Sequence, residues 1–186
     1  MIATQQACAE TNRERIVALC RERGLPMASH DDTTPEHIAQ AVQEQITISE
    51  FPTTRVAASL AREAGISIVM GGPNVVRGGS HSGNVSAKDL AAEGLLDILS
   101  SDYVPGSLVS GAFRLHANLS IPLPEAVAKI SRNPAERVGL TDRGEIREGL
   151  RADLVRVREI ESIPAVLQTW SVGTNPNLEI TAKNAA

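Results

Sequence analysis

Ile66-Ser67-Ile68-Val69-Met70-Gly71-Gly72-Pro73-Asn74-Val75-Val76-Arg77-Gly78-Gly79-Ser80-His81-Ser82-Gly83-Asn84 is the stretch on which the fold turns. Its opening, Ile66 to Met70, is a short and nearly unbroken apolar run of the kind that forms a strand covered on both faces. A Gly-rich loop, Gly71 to Asn84, follows, and Ser86 to Glu93 then reads as a helix. Working outward, the same succession recurs on both sides. Upstream, Leu25 to Ser29 leads into His30-Asp31-Asp32 and a helix, with Thr34 placed to cap it and Pro35 at its first position. Ile46 to Ser49 leads into Glu50-Phe51-Pro52 and a helix over residues 54–64. Downstream, the run from Leu95 to Ser101 leads into Asp102-Tyr103-Val104-Pro105 and a helix over residues 107–117.

Strand, polar end and helix, repeated in this way, predict a parallel α/β array with four βα units. Parallel strands put their C-terminal ends on one edge, and barrels and open sheets alike carry their sites there. His30, Asp31, Asp32, Glu50, the segment from Asn74 to Asn84, and Asp102 are therefore expected to converge. Around the array, residues 2–23 read as a helix ended by Gly24, and residues 124–131 and 134–138 as two further helical pieces. Gly144 to Ile146 and Gly149 to Val157 read as short strands about a turn, and residues 166–172 as a third. The expected organisation is an α/β body over residues 1–140, a small β-element over 141–172 and a flexible tail over 173–186.

The chain has 186 residues, 42% apolar and 22% charged, which suffices for one domain with a sizeable core. A net charge of −4 without a Lys/Arg cluster argues against a dedicated nucleic-acid binder. No apolar run approaches the roughly 18 residues of a membrane span, and the first residues lack the apolar core of a signal peptide. Cys8 and Cys20, on one helix, would lie roughly 18 Å apart, too far for a disulfide. Free thiols fit a reducing cytoplasm.

Several residues at the predicted edge have chemistry to offer. A neutral imidazole at a strand end, His30, suits zinc or a similar ion, and Asp31 and Asp32 beside it can orient the ring or bind a second metal. The alternative is a surface His beside two helix-capping carboxylates. Asp102 can ligate a metal or act as general base, or simply cap the next helix. Glu50 can be a ligand, a base, a partner to a substrate hydroxyl or half of a rim salt bridge. In the Gly-rich loop, Gly78 and Gly79 offer backbone N–H groups to an anion, Arg77 a bidentate fork, and Asn74, Ser80 and His81 further donors. The N-terminus of the following helix can face the same anion. The Gly-Lys-Ser/Thr ending of a Walker motif is missing.

Four segments, Ala28-Ser29-His30-Asp31-Asp32-Thr33-Thr34, Ser49-Glu50-Phe51-Pro52-Thr53-Thr54, Pro73 to Asn84, and Ser100-Ser101-Asp102-Tyr103, come in this order and at these gaps. Together they resemble the amidohydrolase superfamily, and within it the diphosphatases of phosphonate breakdown. The likeness runs from about residue 12 to residue 157, with a weaker echo to Val172, and is most specific in the Gly-rich loop. Asn133-Pro134-Ala135 and the segment from Gly144 to Val155 resemble a more general amidohydrolase ending.

The resemblance implies a (β/α)₈ barrel of which this chain supplies the C-terminal half, strands five to eight, with the remnant of a small β-domain. It implies metal-dependent hydrolysis of a sugar triphosphate, a small phosphorylated substrate, to a 5-phosphate and pyrophosphate. It implies a divalent metal, with zinc the expected ion, served by His30 after the fifth strand and Asp102 after the eighth. Glu50 stands where a His is common, and no His-x-His precedes His30. The chain is accordingly expected to be a piece of a longer protein, half of a split enzyme or a truncated relative, inactive alone. Three alternatives remain. One is a non-catalytic half-barrel that associates with another copy or with other pathway proteins, whereas the enzyme reading needs the missing N-terminal half. The others are an amidohydrolase acting on a C–N bond and an unrelated open-sheet phosphate binder.

Overall fold

The computed structural model describes residues 2–80 and 83–171. Helix α1 (Ile2–Glu22) leads into a four-stranded sheet built from β1 (Ala28–His30), β2 (Ile48–Glu50), β3 (Ser67–Gly71) and β4 (Ile98–Ser100). The sheet order is β1-β2-β3-β4 and every pairing is parallel. Between the strands run α2 (Pro35–Gln43), α3 (Arg55–Glu63), and the short α4 (Gly72–Arg77) and α5 (Ala87–Ala92). After β4 come α6 (Ser107–Leu119), α7 (Leu123–Ala128) and α8 (Arg132–Arg137). The expected four-unit parallel α/β array is what forms.

The reason lies in the apolar pattern. All five residues of β3 are buried, as expected of an inner strand covered on both faces. Ile68, Leu90, Leu96 and Leu115 are the large side chains that close the core. Helices approach the sheet through small residues: Ala41 of α2, Ala57, Ala58 and Ala61 of α3, and Ala112 of α6 have no exposed surface. Thr34 and Thr54 cap α2 and α3 by accepting from the N–H groups of His37 and Ala57. At the opposite end of β4, the largely buried Lys129 donates from Nζ to the Leu96 carbonyl at 2.7 Å.

The expected strand at Gly144–Ile146 does not form. Gly144 adopts φ +103° and lies so close to Arg132 that a Cβ would come within 2.8 Å of its Cα, while Ile146 points into solvent. This segment wraps over α8 instead of pairing. The β-element is a two-stranded antiparallel hairpin, β5 (Leu154–Ile160) and β6 (Ile163–Trp170), so the strand read over residues 149–157 begins and ends later. Glu161 and Ser162, both at positive φ, turn the hairpin in the manner of a type I′ turn. Residues 172–186, including the predicted tail and Val172, lie outside the described residues. Among the described residues no helix is long and apolar enough to cross a membrane.

Candidate functional site at the strand C-termini

The register fixes which residues meet at the edge. His30 stands opposite Glu50, Glu50 opposite Val69, and Gly71 opposite Ser100. Backbone conformation marks the same edge. Asp31, Phe51 and Asp102, one from each of the turns after β1, β2 and β4, adopt positive φ of 59°, 54° and 50°. Non-glycine residues hold this conformation at a cost, and such residues gather where a site needs side chains aimed in a particular direction. After β3 the job falls to glycines. Asp102 Oδ2 lies 3.3 Å from where a Gly71 Cβ would be, and a Gly72 Cβ would fall 2.5 Å from Ser107 Oγ. Gly71 and Gly72 therefore let the β4 turn and the start of α6 close onto β3.

A cavity of about 160 Å³ opens at this edge. Asp31, Asn74, Arg77, Gly79, Ser80 and Asp102 line it, joined by Asn84 and Tyr103. Part of the predicted convergence is thus present, with Asp31 bringing the β1 turn to the residues that follow β3 and β4. His30, Glu50, Asp32 and Gly78 do not line this cavity.

His30 instead packs edge-on against Phe51, with ring centroids 5.3 Å apart. Its Nδ1 is 3.1 Å from Asp31 Oδ2 and its Nε2 is 4.0 Å from Glu50 Oε2, with more than half of the side chain exposed. The carboxylate that orients the ring is therefore Asp31. Asp32 is buried and accepts from Ser29 Oγ at 2.5 Å and Ser49 Oγ at 2.6 Å, so it ties β1 to β2 rather than serving the imidazole. His30 and Asp32 face a larger cavity, about 740 Å³, that lies between α1 and the free side of β1.

The Gly-rich segment differs from the loop expected of it. Residues 72–77 form α4, and Gly78 at φ +89° ends that helix. The N–H groups of Gly78 and Gly79, offered by the sequence to an anion, both donate to the Asn74 carbonyl, as the carbonyls at a helix C-terminus require. Asn74 Oδ1 accepts from Ala87 N–H and Ser86 Oγ from Asp89 N–H, so the start of α5 is also satisfied internally. Arg77 remains, its Nη2 donating to Tyr103 Oη at 2.7 Å. His81 lies outside the described residues. Asp102 does not cap α6; the cap is Gly106.

The residues do not by themselves fit a metal centre. A catalytic zinc takes three protein ligands and keeps one open position. Among the described residues no group of three or more His, Cys, Asp or Glu side chains is placed to hold an ion. His30 and Glu50 approach each other, but Asp102, the third expected ligand, sits in the cavity beyond them.

Sequence reasoning missed Tyr103, Phe51, and the pair Ser29 and Ser49. A signal for the last was available: Ser-x-x-x-Thr-Thr occurs at 29–34 and again at 49–54. The repeat is structural. Thr53 Oγ1 donates to Thr33 Oγ1 and Thr54 Oγ1 to the Thr33 carbonyl, both at 2.8 Å, stitching the two turns together.

A model of the amidohydrolase family matches residues 2–174. The chain belongs to the amidohydrolase family. Among curated relatives, it is 50% identical over 167 residues to the alpha-D-ribose 1-methylphosphonate 5-triphosphate diphosphatase of Escherichia coli K12, covering 89% of the chain and 44% of the relative. It is 27% identical to an imidazolonepropionase of a Ruegeria species, over 87% of the chain and 41% of the relative. The chain thus spans less than half the length of the curated relatives it matches. Its fold resembles that of the solved Aspergillus niger ochratoxinase, at TM-score 0.60 and 17% identity, over 85% of this chain and 43% of that one. An uncharacterized protein of solved structure is similar at TM-score 0.59 and 21% identity, over 86% and 47%.

Proposed function

We propose that the chain carries the phosphate-holding side of a diphosphatase that hydrolyses a ribose 1-methylphosphonate 5-triphosphate to the 5-phosphate and pyrophosphate, in phosphonate breakdown in the cytoplasm. One observation carries this reading. Arg77 stands at a cavity with a guanidinium that no carboxylate neutralises among the described residues, beside Ser80 and the carboxylates of Asp31 and Asp102. A planar fork of that kind suits phosphoryl oxygens. Asp102 is assigned proton transfer at the attacking water, and Asn84 joins Arg77 in binding. The 50% identical diphosphatase supports the substrate class. His30 and Glu50 would supply an imidazole and a carboxylate toward a divalent ion, with zinc expected, whose further ligands the described residues do not provide. The body over 1–140 is assigned this work, and the β-element over 141–172 a supporting place beside it.

The test replaces the matching segment of the Escherichia coli relative with this chain and measures pyrophosphate release from the sugar triphosphate. Release is expected, with a loss of at least about a hundredfold in Asp102→Asn, the scale of a general base. Unchanged release in Asp102→Asn contradicts the assignment.

A second reading, a half-barrel that pairs with another polypeptide, is favoured by the free side of β1 and the cavity of about 740 Å³ along it. Bare strand edges promote association. A monomer by light scattering at all concentrations would count against it.

A further inference from the structure

Seven of the fifteen arginines of this chain are neutralised where they stand. Arg13, Arg55, Arg62, Arg132, Arg143, Arg147 and Arg151 each lie within 4.0 Å of a carboxylate. Arg77 is different. Its Nη2 donates to a neutral phenol, Tyr103 Oη, although Asp31 and Asp102 line the same cavity. The two residues come from different turns: Arg77 ends α4 after β3, and Tyr103 follows Asp102, whose positive φ sets the direction of the β4 turn. A carboxylate in place of the phenol would cancel the charge that an anion must meet. A phenol oxygen holds one N–H of the fork and leaves the charge and the remaining donors available.

We propose that Tyr103 is a positioning residue of the phosphate subsite, which latches the Arg77 guanidinium over the cavity so that a polyphosphate chain meets a preset fork. The proposal rests on the phosphate-holding reading given above. Fixing a long side chain in its binding geometry removes the ordering cost that an unlatched arginine would meet on binding. Tyr103 touches the anion through Arg77 only, so its effect must vanish when Arg77 is absent.

The experiment is a calorimetric titration of the full chain with inorganic tripolyphosphate in four forms: the chain itself, Tyr103→Phe, Arg77→Ala and the double variant. Arg77→Ala is expected to weaken binding by at least about tenfold, as loss of a charge-assisted pair does. Tyr103→Phe is expected to weaken it by about fivefold, the scale of one hydrogen bond, and to add nothing when Arg77 is already alanine. Both side chains are at the surface, so thermal midpoints should stay within about 2 °C. If Arg77→Ala abolishes binding and Tyr103→Phe leaves it unchanged, the latch is wrong while the phosphate reading stands. If Tyr103→Phe weakens binding equally in both backgrounds, Tyr103 contacts the anion itself and the latch is again wrong. If the unsubstituted chain does not bind tripolyphosphate, or Arg77→Ala binds it as well as the unsubstituted chain does, the phosphate reading falls and the latch falls with it.

Discussion

The two halves of the strand-end rim are built in opposite ways. On the β1–β2 side, polar groups satisfy one another. Asp32 is buried between two serine hydroxyls, and Thr33, Thr53 and Thr54 form a closed set of hydrogen bonds across the turns. On the β3–β4 side, glycines bring backbone segments together, and Arg77 and Asp102 are left facing a cavity that Asp31 of the β1 turn also lines. The first half is a scaffold that happens to be polar. The second holds its chemistry in reserve, with Arg77 facing a phenol rather than a carboxylate. A polar residue at a strand end is therefore not by itself a site residue; what separates the two halves is whether its partners are already inside the chain.

Breaking the glycine-mediated closure should have the largest effect. Gly72→Ala would place a methyl group 2.5 Å from Ser107 Oγ and 2.9 Å from the Ser107 carbonyl oxygen, and that backbone cannot yield cheaply. The expected loss is about 3 kcal/mol by urea denaturation, the upper part of the usual range for overpacking. A loss under about 1 kcal/mol would show that the β3–α6 approach is looser than described. On the other half, Asp32→Ala leaves the Ser29 and Ser49 hydroxyls without their acceptor and should cost about 2 kcal/mol, while tripolyphosphate affinity is retained. Lost affinity with intact stability would move Asp32 from the scaffold to the site. Thr54→Ala removes the cap of α3 and one stitch between the turns, for about 1 kcal/mol.

The smallest effect concerns pH, and on both sides stability rises with pH, though in windows far apart. Glu44 on the β1 side accepts two hydrogen bonds from Arg13, which hold its carboxyl below the usual glutamate range. Its contribution is present above the unfolded value near 4.5 and is lost as pH falls through the lower folded value. Glu44→Gln should flatten the acid limb of a stability-against-pH curve. Burial of Lys129 below β4 pushes its ammonium under the usual lysine range. The unfolded chain then binds more protons, and stability from this group rises with pH toward 10.5. An acid limb identical in Glu44→Gln would remove the Arg13–Glu44 tie from the account.

Much of this was legible in the sequence. Apolar runs ending in polar residues placed all four parallel strands, and Thr34, Thr54 and Ser86 marked the helix starts they cap. Topology then gave the convergence of Asp31, Arg77 and Asp102 without reference to any relative. What sequence did not show was the use of each donor. Gly78 and Gly79 look like an anion nest in one dimension, but a six-residue helix ahead of them claims their N–H groups. Asp32 looks like a partner for His30, but the strand register sets Ser29 beside Ser49 and draws it between them. The Arg77–Tyr103 pair joins residues 26 positions apart on different turns, and no local pattern announces it. Gly144 marked a turn, yet its close approach to Arg132 is a tertiary contact that overrode the short strand read there.

The central claim is that the β3–β4 half of the rim, and not the β1–β2 half, receives a polyphosphate. Titrating the isotopically labelled chain with inorganic tripolyphosphate and following backbone amide resonances tests it directly. The account predicts shifts concentrated at Asn74–Ser80, Asp102 and Tyr103, with the Ser49 and Thr54 amides unmoved. Shifts centred on the β1–β2 turns or on the β5–β6 hairpin, with the Arg77 and Tyr103 amides still, would contradict it.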